Sequence, residues 1–366
     1  MSIAVVGIVG AGTMGGGIAT SLTQHGIAVR LFDNRPEAAL KAAGQAEAFY
    51  ARLVERQRMK PEAAKAATAR IVPAATLADT AGADLVIEAV FEDFDLKARL
   101  LDELSLLVAP TTLVATNTSC LRVSDLAKHM RLPERFLGLH YFSPAAVNPI
   151  VEVVSGEATS PATIETALAF TRATGKQPLR CRDSYGFAIN RFFCPYTNEA
   201  VRLLDEELGT AAEIDEVAKE ALGVAAGPFQ VMNLIKPRIN LHAIGNLAPL
   251  GSFYAPAASM VAVGEADRAW EIGEAGDIEP GRRRRIADRL RLGAFLPVLQ
   301  AIDEGVAEPA DFDRGAREAL KMGRPPCALM DALGRDAVED LLRPAVAAYG
   351  IAMPRALQRV GSLVEA

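Results

Sequence analysis

Two residues with acid–base character lie in strand-like runs only twelve positions apart. His140 ends the apolar segment FLGLH, and Glu152 lies within IVEVV (150–154). An imidazole changes charge near neutral pH, so it can take a proton from a hydroxyl and later return it. A carboxylate bonded to its other ring nitrogen fixes the tautomer and stabilises the imidazolium. On pattern alone, a single strand histidine is more often a packed structural residue, and both readings stand at this point.

The N-terminus carries a second constellation. The apolar run IAVVGIV (3–9) is followed by Gly10-Ala-Gly12-Thr13-Met14-Gly15, a helical stretch to about His25, and a strand IAVRLF that ends at Asp33. This is a βαβ unit with the dinucleotide fingerprint in its first turn. Gly10 makes the tight turn, Gly12 lets the backbone approach a pyrophosphate, and Gly15 permits close helix–strand packing. The helix start, with Thr13 and Met14, offers N–H groups and partial positive charge to the anion. Asp33, 18 residues beyond Gly15, stands where an acid accepts bonds from ribose hydroxyls. A 2′-phosphate would meet that carboxylate, so NAD is expected over NADP, although Arg35 softens the preference.

These residues need a scaffold. Further apolar runs at 83–90, 112–119, 135–142 and 150–154 alternate with helical stretches, which predicts a doubly wound Rossmann-type α/β sheet. After about residue 185 the pattern turns helical, with the boundary between CRDSYG and FAINRFF. That half contains an ungapped repeat: residues 205–233 align with 303–331 at an offset of 98. Asp205/Asp303, Asp215/Asp313, Glu220/Glu318, Pro228/Pro326 and Met232/Met330 coincide. The expectation is an α/β domain over 1–184, a helical module over 185–275, and a second, repeated module over 283–366. The segment 273–285 is read as the linker, and Arg282 to Arg285 as a solvated helix start.

Composition narrows the classes. Half of the 366 residues are hydrophobic and 23% are charged, the balance of a soluble globular protein of two domains. No apolar run approaches the roughly 20 residues that span a bilayer, so no membrane partner is expected. The start MSIAVVGIVGAG lacks a basic n-region and is read as structural. A net charge of −6 argues against a general nucleic-acid binder. The four cysteines lack ligand spacing, which fits reduced thiols of a cytoplasmic protein. The four histidines (His25, His129, His140, His242) show no HExxH or paired spacing, so no metal site is expected.

Several segments, in order and spacing, resemble the L-3-hydroxyacyl-CoA dehydrogenases of fatty-acid β-oxidation. They are DLVIEAVFEDFDLK (84–97), TNTSCL (116–121), GLHYFSPA (138–145), IVEVV (150–154) and GFAINR (186–191). The resemblance implies an oxidoreductase that interconverts a (3S)-3-hydroxyacyl-CoA and a 3-ketoacyl-CoA by hydride transfer to NAD. It implies His140 as the catalytic base, Glu152 as its orienting carboxylate, and Ser119 and Asn190 as groups that steady the substrate oxygen. Glu92, Lys97 and Asn117 match positions on the cofactor side. The segment RLVERQRMK (52–60), with Arg52, Arg56, Arg58 and Lys60, lies where the family binds the CoA end; as residues alone, it reads equally as a solvated helix face.

Cys120, Ser143 and Asn233 depart from the residues expected in many relatives, the last replacing an acid that Asp331 keeps. The stretch 233–256 also differs from the short family form and is read as an altered acyl-binding wall. The second module can stand in for a partner subunit, which admits a monomer beside a homodimer. Two other readings are a dehydrogenase of a free hydroxy acid, of the L-gulonate or carnitine type, and a non-catalytic NAD-binding module.

Overall fold

The computed structural model describes residues 3–364. The chain divides after Asp183 into two compact units.

The first unit is an eight-stranded sheet flanked by helices. Its chain order begins β1 (Val5–Val9), α1 (Thr13–Gln24), β2 (Ala28–Phe32), α2 (Pro36–Glu55), α3 (Pro61–Ala69), β3 (Ile71–Pro73) and α4 (Leu77–Ala81). It continues β4 (Leu85–Glu88), α5 (Phe94–Leu107), β5 (Leu113–Thr116), α6 (Val123–Leu126), β6 (Phe136–Tyr141), β7 (Ile150–Ser155), α7 (Pro161–Ala173) and β8 (Gln177–Arg182). The strands lie in the order β3-β2-β1-β4-β5-β6-β7-β8. All neighbours are parallel except β6 and β7. Val6, Ile8, Leu85, Ile87, Ala115 and Leu139 are sealed in the core, which explains why these strands read as continuous apolar runs.

Three predicted strands are shorter than expected. The runs 83–90, 112–119 and 135–142 leave the sheet after Glu88, Thr116 and Tyr141. Their last residues instead form loops at the carboxyl ends of the strands. Two strands escaped prediction. β3 has three residues, and β8 (QPLRCR) lies at the sheet's edge, where Gln177, Arg180 and Arg182 meet solvent and no apolar run is required.

The second unit is helical: α8 (Ile189–Asp205), α9 (Ala211–Leu222), α10 (Pro228–Ile235), α11 (Pro237–Gly245), α12 (Ala258–Ala266), α13 (Pro280–Asp303), α14 (Pro309–Leu320), α15 (Pro326–Leu333) and α16 (Arg335–Tyr349). The helices α9 and α10 correspond to α14 and α15 at the offset of 98. The likeness extends to single hydrogen bonds. Asp215 accepts from the backbone N–H of Phe229 and Gln230, and Asp313 accepts from those of Cys327 and Ala328. Each carboxylate thereby satisfies orphan donors at a helix start.

The expected linker is corrected at its C-terminal side. Irregular chain covers 267–279, and α13 already begins at Pro280. The Glu279 carboxylate accepts from Gly281 and Arg282, and proline suits the first helical turn, so Arg282 to Arg285 lie within the helix. Asn233 also finds its reason. Its amide donates to Trp270 O and its carbonyl accepts from Trp270 N, a reciprocal pair that an ionised acid could not make. Its counterpart Asp331 instead accepts N–H groups from Gly361, Leu363 and Val364.

Candidate active site

The glycine-rich turn has the form that a dinucleotide pyrophosphate requires. Gly10 has φ +102°, and a Cβ there would lie 2.5 Å from Ala89 O. A Cβ on Gly15 would stand 1.8 Å from Gly10 O, so only glycine lets α1 seat on the turn. By contrast, a Cβ at Gly12 would enter open space. No side chain caps α1, leaving the first-turn N–H groups, including those of Thr13 and Met14, to face an anion. These features fit NAD. Asp33 does more than expected: it accepts from Ala11 N at 2.8 Å and Arg35 N at 3.0 Å, so the same carboxylate also braces the turn. Arg35 approaches it at 3.6 Å.

Beside this turn, the ends of β4 and β5 hold a buried charge cluster. Glu88, fully buried, receives Lys97 Nζ at 2.6 Å, Thr116 Oγ1 at 2.6 Å and Val90 N at 2.7 Å. Lys97 also reaches Glu92 at 3.3 Å. Glu92 Oε1 in turn gathers Thr118 Oγ1, Ser119 N and Cys120 N at 2.6, 2.7 and 3.2 Å, with Ser119 Oγ at 3.2 Å. Burial opposes charge on Glu92, but Lys97 and these donors outweigh it and hold the carboxyl below its ordinary value. A chain of contacts thus runs from Glu88 through Lys97 and Glu92 to the turn that carries Ser119. Cys120 is enclosed here, with its thiol 3.4 Å from Glu92 Oε1.

His140 and Glu152 face each other across the antiparallel register of β6 and β7. Nδ1 of His140 lies 2.6 Å from Glu152 Oε2, with Glu152 fully buried and His140 only 6% exposed. An ionised carboxylate only accepts, so this contact favours the tautomer with the proton on Nδ1. The Phe142 ring packs against the imidazole at 4.3 Å. Asn117 Oδ1 accepts from Tyr141 N at 2.9 Å, tying the chain after β5 to the end of β6. Ser143, one of the departures, precedes Pro144 in a cis peptide.

Arg52 is on the last turn of α2, and Arg56, Arg58 and Lys60 lie in the turn to α3; all four are exposed. Asn190 belongs to the second unit, in the first turn of α8, half-buried. Among the described residues no group of His, Cys, Asp and Glu could hold a metal ion, and no helix is long and apolar enough to cross a membrane.

Sequence reasoning passed over Glu88, Thr116 and Lys176. Glu88 had a signal: an acid inside the apolar run LVIEAV demands a buried partner, and Lys97 stands nine residues on. Lys176 had none. It is buried and donates to Ala145 O and Asn148 O, both at 2.7 Å, holding the loop between β6 and β7.

Fold and site together define a dinucleotide-dependent oxidoreductase architecture. Residues 5–184 match the 3-hydroxyacyl-CoA dehydrogenase NAD binding domain, and residues 186–273 match the C-terminal domain of the same family. The (S)-3-hydroxybutyryl-CoA dehydrogenase of Ralstonia eutropha is 33% identical with a TM-score of 0.70, over 72% of this chain and 94% of that one. The 3-hydroxybutyryl-CoA dehydrogenase of Escherichia coli K12 is 25% identical with a TM-score of 0.86, over 99% of both chains. The 3-hydroxyadipyl-CoA dehydrogenase of Escherichia coli (strain K12) is 37% identical over 240 residues, 66% of this chain and 50% of the relative. This chain spans about half the length of that curated relative. The chain belongs to the 3-hydroxyacyl-CoA dehydrogenase family, and its first unit is that family's NAD-binding domain.

Proposed function

We propose that the chain interconverts a (3S)-3-hydroxyacyl-CoA and the corresponding 3-ketoacyl-CoA. The observation that carries this reading is the 2.6 Å contact between His140 and Glu152 across the paired strands β6 and β7 of the NAD-binding unit. Bound NAD would supply the hydride acceptor for C3 in oxidation and, as NADH, the hydride donor in reduction. In oxidation, His140 Nε2 takes the hydroxyl proton while Glu152 stabilises the imidazolium. In reduction, the imidazolium donates to the forming hydroxyl. Ser119 and Asn190 are assigned to steady the oxygen as charge develops, a preorganised contribution of the oxyanion-hole type. Glu92, Lys97 and Asn117 are assigned to the cofactor side, and Arg52, Arg56, Arg58 and Lys60 to the phosphates of CoA.

The proposed setting is cytoplasmic β-oxidation chemistry. The proposed assembly is a monomer in which the second helical module takes the place of a partner; a homodimer by sedimentation would reject that assignment.

The deciding experiment is NADH oxidation with acetoacetyl-CoA and longer 3-ketoacyl-CoAs, comparing wild type with His140→Ala. Turnover that collapses in the variant while NADH affinity persists supports the reaction and the base. A wild type that binds NADH yet is inert on every thioester rejects the acyl-CoA reading and directs attention to free hydroxy acids.

A further inference from the structure

The internal repeat pairs charges crosswise. Arg191 Nη2 bonds Glu304 Oε1 at 2.5 Å, and Arg289 bonds Glu206 with its two terminal nitrogens at 2.8 and 3.1 Å. A shift of 98 residues carries Arg191 onto Arg289 and Glu206 onto Glu304. Each copy therefore gives an arginine to the other's acid, the reciprocity of a two-fold interface. The isolated antiparallel bridge between Val224 and Met322 joins residues related by the same shift.

The two ion pairs have diverged in their surroundings. Asn190 precedes Arg191, whereas the equivalent Asp288 precedes Arg289 and pairs with Arg284 and Arg291. The Arg191 side chain is only 1% exposed, while Arg289 is 28% exposed and has a second acid, Glu199. Arg191 also donates to Ser184 Oγ at 3.2 Å, and its guanidinium lies 5.4 Å from the centre of the Tyr254 ring. Its backbone N–H bonds Gly186 O. Gly186 and the non-glycine Phe187 both have positive φ, at +76° and +49°. A bulky residue in that region persists only where its surroundings enforce it.

We propose that Glu304, in the second module, is a positioning residue for Asn190 and acts through Arg191. The buried guanidinium clamps the Ser184–Phe187 turn to the start of α8, and Glu304 fixes the guanidinium. The duplicated module would then contribute to the geometry of the site without touching substrate. This inference rests on the proposed role of Asn190.

The repeat supplies its own control. Glu304→Gln and Glu206→Gln each weaken one of the two equivalent pairs, but only the first pair adjoins Asn190. Glu304→Gln is expected to lower kcat on acetoacetyl-CoA roughly tenfold, within the cost of a misplaced group, while KM for NADH stays within about twofold. Amide hydrogen exchange over 186–192 should quicken in Glu304→Gln and not in Glu206→Gln. Equal losses of turnover in both variants, or unchanged exchange at 186–192 in Glu304→Gln, would overturn the proposal. If Glu304→Gln fails to fold, Arg191→Lys keeps the charge but loses the planar fork, and the same exchange contrast applies. An inert wild type would reject the thioester reading by itself, and the exchange comparison would still decide whether Glu304 positions the segment.

Discussion

Glu152 stands directly opposite His140 in the β6–β7 register, its Oε2 2.6 Å from His140 Nδ1. An amide in place of that carboxylate can hold the ring in the wrong tautomer and no longer offsets the imidazolium charge. Glu152→Gln is therefore expected to reduce kcat by about 10²–10⁴-fold, the usual worth of acid–base assistance. Steady-state rates beside NADH binding provide the check. A variant with near wild-type kcat would remove Glu152 from the mechanism.

Lys97 and Glu88 form a pair with almost no solvent access. Lys97→Met leaves the Glu88 charge buried, and breaking such a pair typically costs about 3–5 kcal/mol. Urea unfolding should show this loss, and the double variant Glu88→Gln/Lys97→Met should recover part of it. A loss below about 1 kcal/mol would mean the pair behaves as though solvated. The single variant should also let the Glu92 carboxyl rise, because Lys97 is the principal group that lowers it.

Lys176 predicts a pH effect. Burial draws its ammonium down from 10.5 to about 8. Between these values the unfolded chain retains a proton that the folded chain has released, so folding gains stability as pH rises through this window. Lys176→Met lacks that titration. The wild-type denaturation midpoint should climb relative to the variant's from about pH 7.5 to about pH 10. A constant gap across this range would contradict the lowered value.

Arg56 and its neighbours bear on the CoA phosphates. Arg56→Glu should raise KM for acetoacetyl-CoA roughly tenfold, equivalent to about 1.4 kcal/mol. The effect should shrink with added salt, since exposed charges are screened. A pantetheine thioester without the nucleotide phosphates provides the comparison. An equal rise in KM for both substrates would assign the segment to something other than phosphate contact.

The glycine pattern, the acid at position 33 and the continuous apolar strands reveal the NAD-binding fold from the sequence, because buried parallel strands and a tight phosphate turn impose local residue types. The same holds for the helical repeat, whose matched aspartates cap matched helices. His140 and Glu152 were nameable for a related reason: each lies in a strand-like run, and a catalytic pair needs these two chemistries. What the residues alone left open was whether the pair meets, since that depends on an antiparallel register between strands joined by an irregular loop. Lys176 belongs to the tertiary structure for the same reason. Its partners are the loop carbonyls of Ala145 and Asn148, which carry no side-chain signature. The crosswise pairing of Arg191 with Glu304, between residues 113 positions apart, is likewise decided only by how the two copies of the module pack.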